Sequence, residues 1–186
     1  MPAATGTTAR RFENPRQKDT VTLLRTSDET GGALTLAEVE LAPGGGNEAH
    51  CHTLFEERFE VVRGTLGIEL DGRVHRLGRG ERAVVPKRAI HRFFNDTSEP
   101  VIFRVEIAPA SRAFEQAFQI AYGLARDGRV TPGGLPLNPL HAAVLSEMTG
   151  THLPGVFELL SPVTAWLAAQ ARRRGIDREL IARYCG

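Results

Sequence analysis

Residues 44–64, GGGNEAHCHTLFEERFEVVRG, place two histidines and a glutamate close together along the chain. His50 and His52 are two residues apart, so on an extended strand both imidazoles point to the same face. Glu57 lies near the start of a second strand, predicted over Phe55–Val62 from its apolar and acidic residues. Two neutral imidazoles and one carboxylate suit a divalent transition metal, and a fourth ligand is expected elsewhere in the chain.

A second stretch, residues 80–95, contains the fourth candidate ligand. It reads GERAVVPKRAIHRFFN, in which a glycine and a proline flank a short apolar strand. His91 begins the next strand, which is predicted over His91–Asn95. The candidate ligand set is therefore three imidazoles and one carboxylate: His50, His52, Glu57 and His91.

Together the two stretches resemble the two sequence motifs of the cupin superfamily. The residues that match the first motif are Gly44, His50, His52, Glu57 and Gly64. The residues that match the second motif are Gly80, Pro86, His91 and Asn95, and Arg88 stands where that motif usually has a glycine. The resemblance covers roughly Val21 to Ala108. It implies a double-stranded β-helix, or jelly-roll barrel, in which the four candidate ligands converge on a metal.

The resemblance also implies that one or two coordination positions stay open to water or substrate, which distinguishes a catalytic metal from a structural one. We expect one divalent transition metal, with iron or manganese favoured. Nickel, zinc, cobalt and copper are alternatives, because selectivity depends on geometry and supply as well as on ligand type.

The residues around the candidate ligands admit two interpretations. Three apolar residues share a strand face with a candidate ligand: Phe59, Val61 and Phe93. They predict either an apolar pocket around a polar centre or ordinary core packing. Asn95 lies on the face of His91 and either orders that ligand by a hydrogen bond or ends the strand before a turn. The other histidines, His75, His141 and His152, lie outside the motifs and are expected to be solvated or capping residues.

The rest of the chain predicts a mainly β fold followed by helices. Strands are predicted over Val21–Arg25, Leu34–Ala42, Phe55–Val62, Thr65–Leu70, Arg73–Leu77, Glu81–Val85, His91–Asn95 and Val101–Ala108. They are joined by Gly, Pro and Asp turns, of which Asp71-Gly72 is the strongest hairpin signal, and this spacing is typical of a sandwich or small barrel. Residues 28–32 are predicted to form one of the turns. Helices are predicted over Ser111–Arg126, Leu140–Met148, Val156–Arg174 and Asp177–Tyr184, the third opened or kinked at Ser161-Pro162.

Three parts are therefore expected along the chain. Residues 1–19 form an N-terminal arm that is mobile or covers a sheet edge. Residues 20–108 form the barrel, and residues 109–186 form a helical extension that packs on the barrel or on a partner subunit. A homodimer formed through the outer sheet of the barrel is common in the family and is expected here.

Composition and charge indicate which partners and which cellular compartment to expect. The chain has 23 basic and 22 acidic residues and a formal net charge of +1, so a nucleic-acid partner is not expected. Two cysteines are too few for a disulfide framework, which favours the cytoplasm. The first residues contain no apolar segment suited to export or membrane insertion, and membrane contact is not expected.

The resemblance favours an enzyme that binds a small organic substrate at the metal, with dioxygenase-type oxidation as the specific reaction. A non-redox isomerase or decarboxylase is the alternative within enzymes, and Glu57, the candidate catalytic residue, would then act as a base. The alternative outside enzymes is a non-catalytic module that binds a small molecule and signals through the extension. The length of residues 109–186 motivates it, because a minimal metal-binding barrel does not require that much helix.

Overall fold

A computed structural model describes residues 10–153 and 161–185 of the chain. Its strands are β1 (Arg11–Asn14), β2 (Asp19–Arg25), β3 (Thr35–Leu41), β4 (Cys51–His52), β5 (Glu56–Arg63), β6 (Leu66–Leu70), β7 (Arg73–Leu77), β8 (Arg82–Val85), β9 (His91–Phe94), β10 (Val101–Ala108) and β11 (Thr151–His152). Its helices are α1 (Ser27–Thr30), α2 (Arg112–Arg126), α3 (Pro139–Thr149), α4 (Ser161–Arg173) and α5 (Ile176–Tyr184). The predicted mainly β fold with a helical C-terminal part is confirmed.

The strands form two larger antiparallel sheets and one short pair. A six-stranded sheet has the order β1-β2-β3-β10-β5-β8, a three-stranded sheet has the order β7-β6-β9, and β4 pairs with β11. Paired residues of antiparallel strands point to the same face, so the register Val39↔Phe103↔Val61 places three buried side chains in one row across the larger sheet. Each fully buried side chain of this size contributes roughly 1.5–3 kcal/mol, and such rows form the core of the barrel.

The predictions for the N-terminal arm and for the third helix can be compared with the structure only over the described residues. Of the predicted arm 1–19, Arg11–Asn14 forms β1 at the edge of the six-stranded sheet, and residues 1–9 lie outside the described residues. Of the helix predicted over Val156–Arg174, residues 161–173 form α4, and residues 154–160 lie outside the described residues. Each helix in the described parts of the chain is too short or too polar to cross a bilayer.

Of the turn predicted over residues 28–32, residues 28–30 belong to the short helix α1, and Gly31 and Gly32 form the turn after it. Thr26 caps it, because its hydroxyl oxygen accepts a hydrogen bond from the backbone N–H of Glu29. The Glu29 carboxylate accepts one in return from the Thr26 backbone N–H at 2.9 Å, which completes a capping box. The T-x-x-E pattern that encodes this arrangement is visible in the sequence.

Helix α2 is held on the barrel by buried hydrogen bonds near both of its ends. Near the first end, the Glu115 carboxylate accepts hydrogen bonds from the Ser27 N–H at 2.6 Å, the Ser27 hydroxyl at 3.0 Å and the Thr35 hydroxyl at 2.6 Å. Near the other end, the Tyr122 hydroxyl donates to Asp19 on β2 at 2.7 Å. Between them, Phe118 packs edge-on against Phe12 of β1. The helix therefore covers the inner face of the six-stranded sheet near β1 and β2.

Arg88 adopts the backbone conformation that glycine would take. Its φ is +69°, in the left-handed region, and its backbone N–H donates to the His52 carbonyl oxygen at 2.7 Å. The turn before His91 therefore forms without the usual glycine, at a conformational cost of roughly 1 kcal/mol.

We expect Arg88→Gly to raise the free energy of unfolding by about 0.5–1 kcal/mol, because glycine removes this cost. Urea unfolding of the variant and the wild type measures the difference. Arg79→Gly is the control, since Arg79 also lies in an exposed turn but has no positive φ, and there glycine should lower stability. A loss of stability in Arg88→Gly would contradict the prediction.

Candidate metal centre

The four predicted ligands come from three chain segments that the strand pairing brings together. His50 and His91 form an isolated β-bridge, in which each backbone N–H donates to the other residue's carbonyl oxygen at 2.9 and 2.8 Å. His52 lies in β4, and Glu57 lies at the start of β5. One ligand atom from each of the four side chains lies within 4.8 Å of the others, so the cluster can hold a metal ion.

The distances between ligand atoms suit a single ion. The Nε2 atoms of His50 and His52 are 3.0 Å apart, and Nε2 of His91 is 2.8 Å from Oε2 of Glu57. Nε2 of His52 is 3.7 Å from Oε1 of Glu57. Two ligands held about 2.1 Å from a metal at a right angle are roughly 3 Å apart, so the residues present fit the ion that the motifs imply.

Each imidazole is oriented by a hydrogen bond at its other nitrogen. Nδ1 of His50 lies 2.8 Å from the Glu48 carbonyl oxygen, and Nδ1 of His91 lies 3.1 Å from the Ala89 carbonyl oxygen. A carbonyl oxygen only accepts, so both Nδ1 atoms carry a hydrogen, and Nε2 is the nitrogen that can bind a metal when the ring is neutral. This is the arrangement in which histidine binds a metal through Nε2.

The electrostatics of the cluster keep most of its groups ready to bind a cation. Burial lowers the pKa of His50, and burial lowers the pKa of His52 to about 3. Burial opposes ionisation of Glu57, but the neighbouring His52 and His91 outweigh it and lower the pKa of Glu57 to about 2. Burial likewise opposes protonation of His91, but its hydrogen bond to Glu57 raises the pKa of that imidazole. Neutral imidazoles and an ionised carboxylate are the metal-binding forms of these side chains.

A comparison with protein-family models identifies the same family as the sequence motifs. Residues 37–107 match the model of the Cupin_2 family, described as a cupin domain. These residues form a cupin domain.

Solved structures similar to this chain include KdgF from Halomonas sp., at 18% identity and a TM-score of 0.47, with 54% of this chain and 87% of that chain covered. The polyketide cyclase RemF from Streptomyces resistomycificus is 24% identical with a TM-score of 0.48, with 58% and 79% covered. A predicted oxalate decarboxylase from Thermotoga maritima is 17% identical with a TM-score of 0.49, with 53% and 90% covered. A search of curated proteins found no match.

The cupin domain and the helical extension together line a large apolar cavity that is partly open to solvent. Its volume is about 1220 Å³, and its wall includes His50, His52 and Glu57. Apolar side chains of the barrel form much of the rest: Val21, Val39, Phe59, Phe93, Phe103 and Val105. Residues of α2, α3 and α4 cover the other side. Of the three apolar residues named from the sequence, Phe59 and Phe93 line this cavity, whereas Val61 is buried in the core outside it.

Asn95 does not order a metal ligand. Its side-chain nitrogen donates to the carbonyl oxygens of Leu41 at 3.1 Å and Glu99 at 2.8 Å. Its side-chain oxygen accepts from the Thr97 backbone N–H at 3.0 Å and from the Thr97 hydroxyl at 2.7 Å. Three of its hydrogen bonds go to the turn after β9 and one goes to the end of β3, so Asn95 ends the strand, which is the other interpretation of its position.

The structure adds two residues that sequence reasoning missed, Thr151 and His152. They form β11, which pairs with β4 in the register Thr151↔His52 and His152↔Cys51. His152, expected to be a solvated or capping residue, lies in this strand, is partly buried and lines the cavity. His75 is exposed on β7, as expected. The sequence carries no signal for β11, since two residues after a helix show no strand periodicity.

Proposed function

We propose that this cupin is a metal-dependent enzyme that acts on a small, largely apolar organic molecule, and that the reaction is a dioxygenase-type oxidation. The observation that supports the proposal most strongly is the position of the ligand cluster. The ligand atoms converge in the wall of an apolar cavity that is large enough for an organic substrate. A closed structural metal site would not need such a cavity beside it.

The chain's own residues have distinct tasks in this proposal. His50, His52, Glu57 and His91 would hold the metal, which supplies Lewis-acid polarisation and, if redox-active, electron transfer to dioxygen. The apolar walls bind the body of the substrate and exclude water, which strengthens electrostatic interactions at the centre. The aromatic side chains of Phe59, Phe93 and Phe103 lie close to one another, with ring centroids 5.3–6.4 Å apart, and give one part of the wall a fixed shape.

The proposal is tested on protein purified without an affinity tag and without added metal. We expect about one equivalent of iron or manganese, and dioxygen uptake with members of a panel of small phenols and diketones. In His50→Ala we expect both to be lost, because the cluster keeps only three ligands. His75→Ala is the matched control: this histidine is exposed on β7, and its loss should change neither metal content nor uptake.

Three other outcomes would overturn all or part of the proposal. Wild-type protein that holds no metal, even after reconstitution, would remove the metal-dependent reaction. Turnover that continues without dioxygen would support the isomerase or decarboxylase alternative instead. A small molecule that raises the melting temperature but is recovered unchanged would support a binding or sensing module.

A further inference from the structure

We propose that Thr151 is a positioning residue of the metal centre and that its hydroxyl group orients the His52 imidazole toward the other ligands. The inference rests on the metal-binding part of the proposed function. The Oγ1 atom of Thr151 lies 3.0 Å from Nδ1 of His52. Thr151 belongs to the helical extension, outside residues 37–107 that match the cupin family. The extension would then be part of the metal centre as well as a cover for the cavity.

His52 differs from the other two imidazoles in the origin of its partner. His50 and His91 each use the carbonyl oxygen of the residue two positions earlier, so their own segments fix them. The partner of His52 lies 99 residues later in the sequence. Phe55 stacks against the His52 ring with centroids 4.3 Å apart, but an apolar side chain offers Nδ1 no hydrogen bond. The hydroxyl of Thr151 therefore supplies an interaction that the cupin motif does not.

Thr151 is itself held in place by its surroundings. Its carbonyl oxygen accepts a hydrogen bond from the Ser146 hydroxyl at 2.8 Å, and its backbone N–H donates to the Thr149 hydroxyl at 3.1 Å. Gly150 ends α3 with φ at +60°, and a Cβ atom there would lie 2.6 Å from the Leu54 side chain. A glycine is therefore required for the extension to approach β4 this closely.

A metal-bound Nε2 leaves the hydrogen of His52 on Nδ1, where the Thr151 hydroxyl oxygen accepts it. His52 is only 7% exposed, so without this hydroxyl its Nδ1–H would have few other partners. Loss of such a partner typically weakens metal affinity by roughly 10–100-fold. The same loss should change the geometry of the bound metal, because the ring is no longer held at one angle.

The test compares Co²⁺ binding by the full chain and three variants, with dissociation constants from competition with a chromophoric chelator and visible spectra of the bound ion. Thr151→Val keeps the shape but removes the hydroxyl, and we expect roughly 10–100-fold weaker binding and an altered spectrum. Thr151→Ser restores a hydroxyl and should restore both. Thr53→Val is the matched control: the Thr53 hydroxyl donates to the Gly150 carbonyl oxygen at 3.1 Å, so it joins the same two segments without touching a ligand.

Two outcomes would overturn the inference alone while leaving the metal centre intact. In the first, Thr151→Val binds Co²⁺ as tightly as the wild type and gives the same spectrum. In the second, Thr53→Val weakens binding as much as Thr151→Val, which would assign the effect to the strand pairing and not to the hydroxyl. A wild-type chain that binds no Co²⁺ would instead remove the metal centre, and this inference with it.

Discussion

Glu57→Gln is expected to weaken the binding of a divalent metal by roughly 10²–10⁴-fold. The Glu57 side chain is only 12% exposed, and its two oxygens lie 2.8 Å from Nε2 of His91 and 3.7 Å from Nε2 of His52. The low pKa of Glu57 keeps it ionised at neutral pH, so it is the anion among the four candidate ligands. Glutamine has nearly the same shape but no charge, and the cation would face only neutral donors beside an apolar cavity. Removing one partner of a buried ion pair costs roughly 3–5 kcal/mol, which corresponds to that range of affinity.

Glu56→Gln is a closely matched control for this prediction. Glu56 is the neighbouring residue on β5, but its carboxylate accepts a hydrogen bond from Arg58 at 2.6 Å in an exposed pair. Exposed pairs contribute about 0–1 kcal/mol, and metal affinity should be unchanged. Calorimetric titration gives the dissociation constants, and the rise in melting temperature on adding metal gives a second measure. Equal losses in both variants, or no loss in Glu57→Gln, would show that the carboxylate does not bind the ion.

The parts of the fold that could be predicted are those encoded locally. The β10 strand has the predicted bounds, Val101–Ala108, because its buried and exposed residues alternate. The Asp71-Gly72 turn has φ values of +47° and +77°, as a tight hairpin of this type requires. The four candidate ligands could be predicted for the same reason, since each lies at a fixed spacing from a turn or from another candidate ligand on a short strand. In such segments a few residues determine both the conformation and the direction of the side chain.

The parts that could not be predicted depend on contacts between distant segments. The hydrogen bond between Thr151 and His52 joins residues 99 positions apart, and the one between Tyr122 and Asp19 joins residues 103 apart. No local pattern specifies such a pair, because it depends on how the extension packs on the barrel. The role of Asn95 was ambiguous for a related reason: strand alternation gives the face of a residue but not whether its amide reaches a ligand or a turn.

The Asp19→Asn variant is expected to remove a large pH dependence of stability. Asp19 is 4% exposed, and one of its oxygens, Oδ1, has no hydrogen-bond partner among the described residues. Burial raises the pKa of this carboxyl group to about 7, although the hydrogen bond from Tyr122 acts in the other direction. In the unfolded chain the pKa is roughly 3.9. The folded state therefore binds the proton more tightly, and the free energy of unfolding falls as the pH rises from about 4 to about 7, by up to about 4 kcal/mol.

Urea unfolding of both proteins at pH 5 and pH 8 measures this effect. From pH 5 to pH 8 the free energy of unfolding of the wild type should fall by about 3 kcal/mol relative to that of Asp19→Asn, because asparagine carries no charge to bury. Tyr122→Phe provides an independent check, because it should raise the pKa of Asp19 further instead of removing its titration. Without the hydroxyl donor the ionised form of Asp19 loses its hydrogen bond, so the loss of stability should extend to higher pH than in the wild type. Parallel pH dependence of the wild type and Asp19→Asn would mean that Asp19 ionises in the fold as readily as in the unfolded chain.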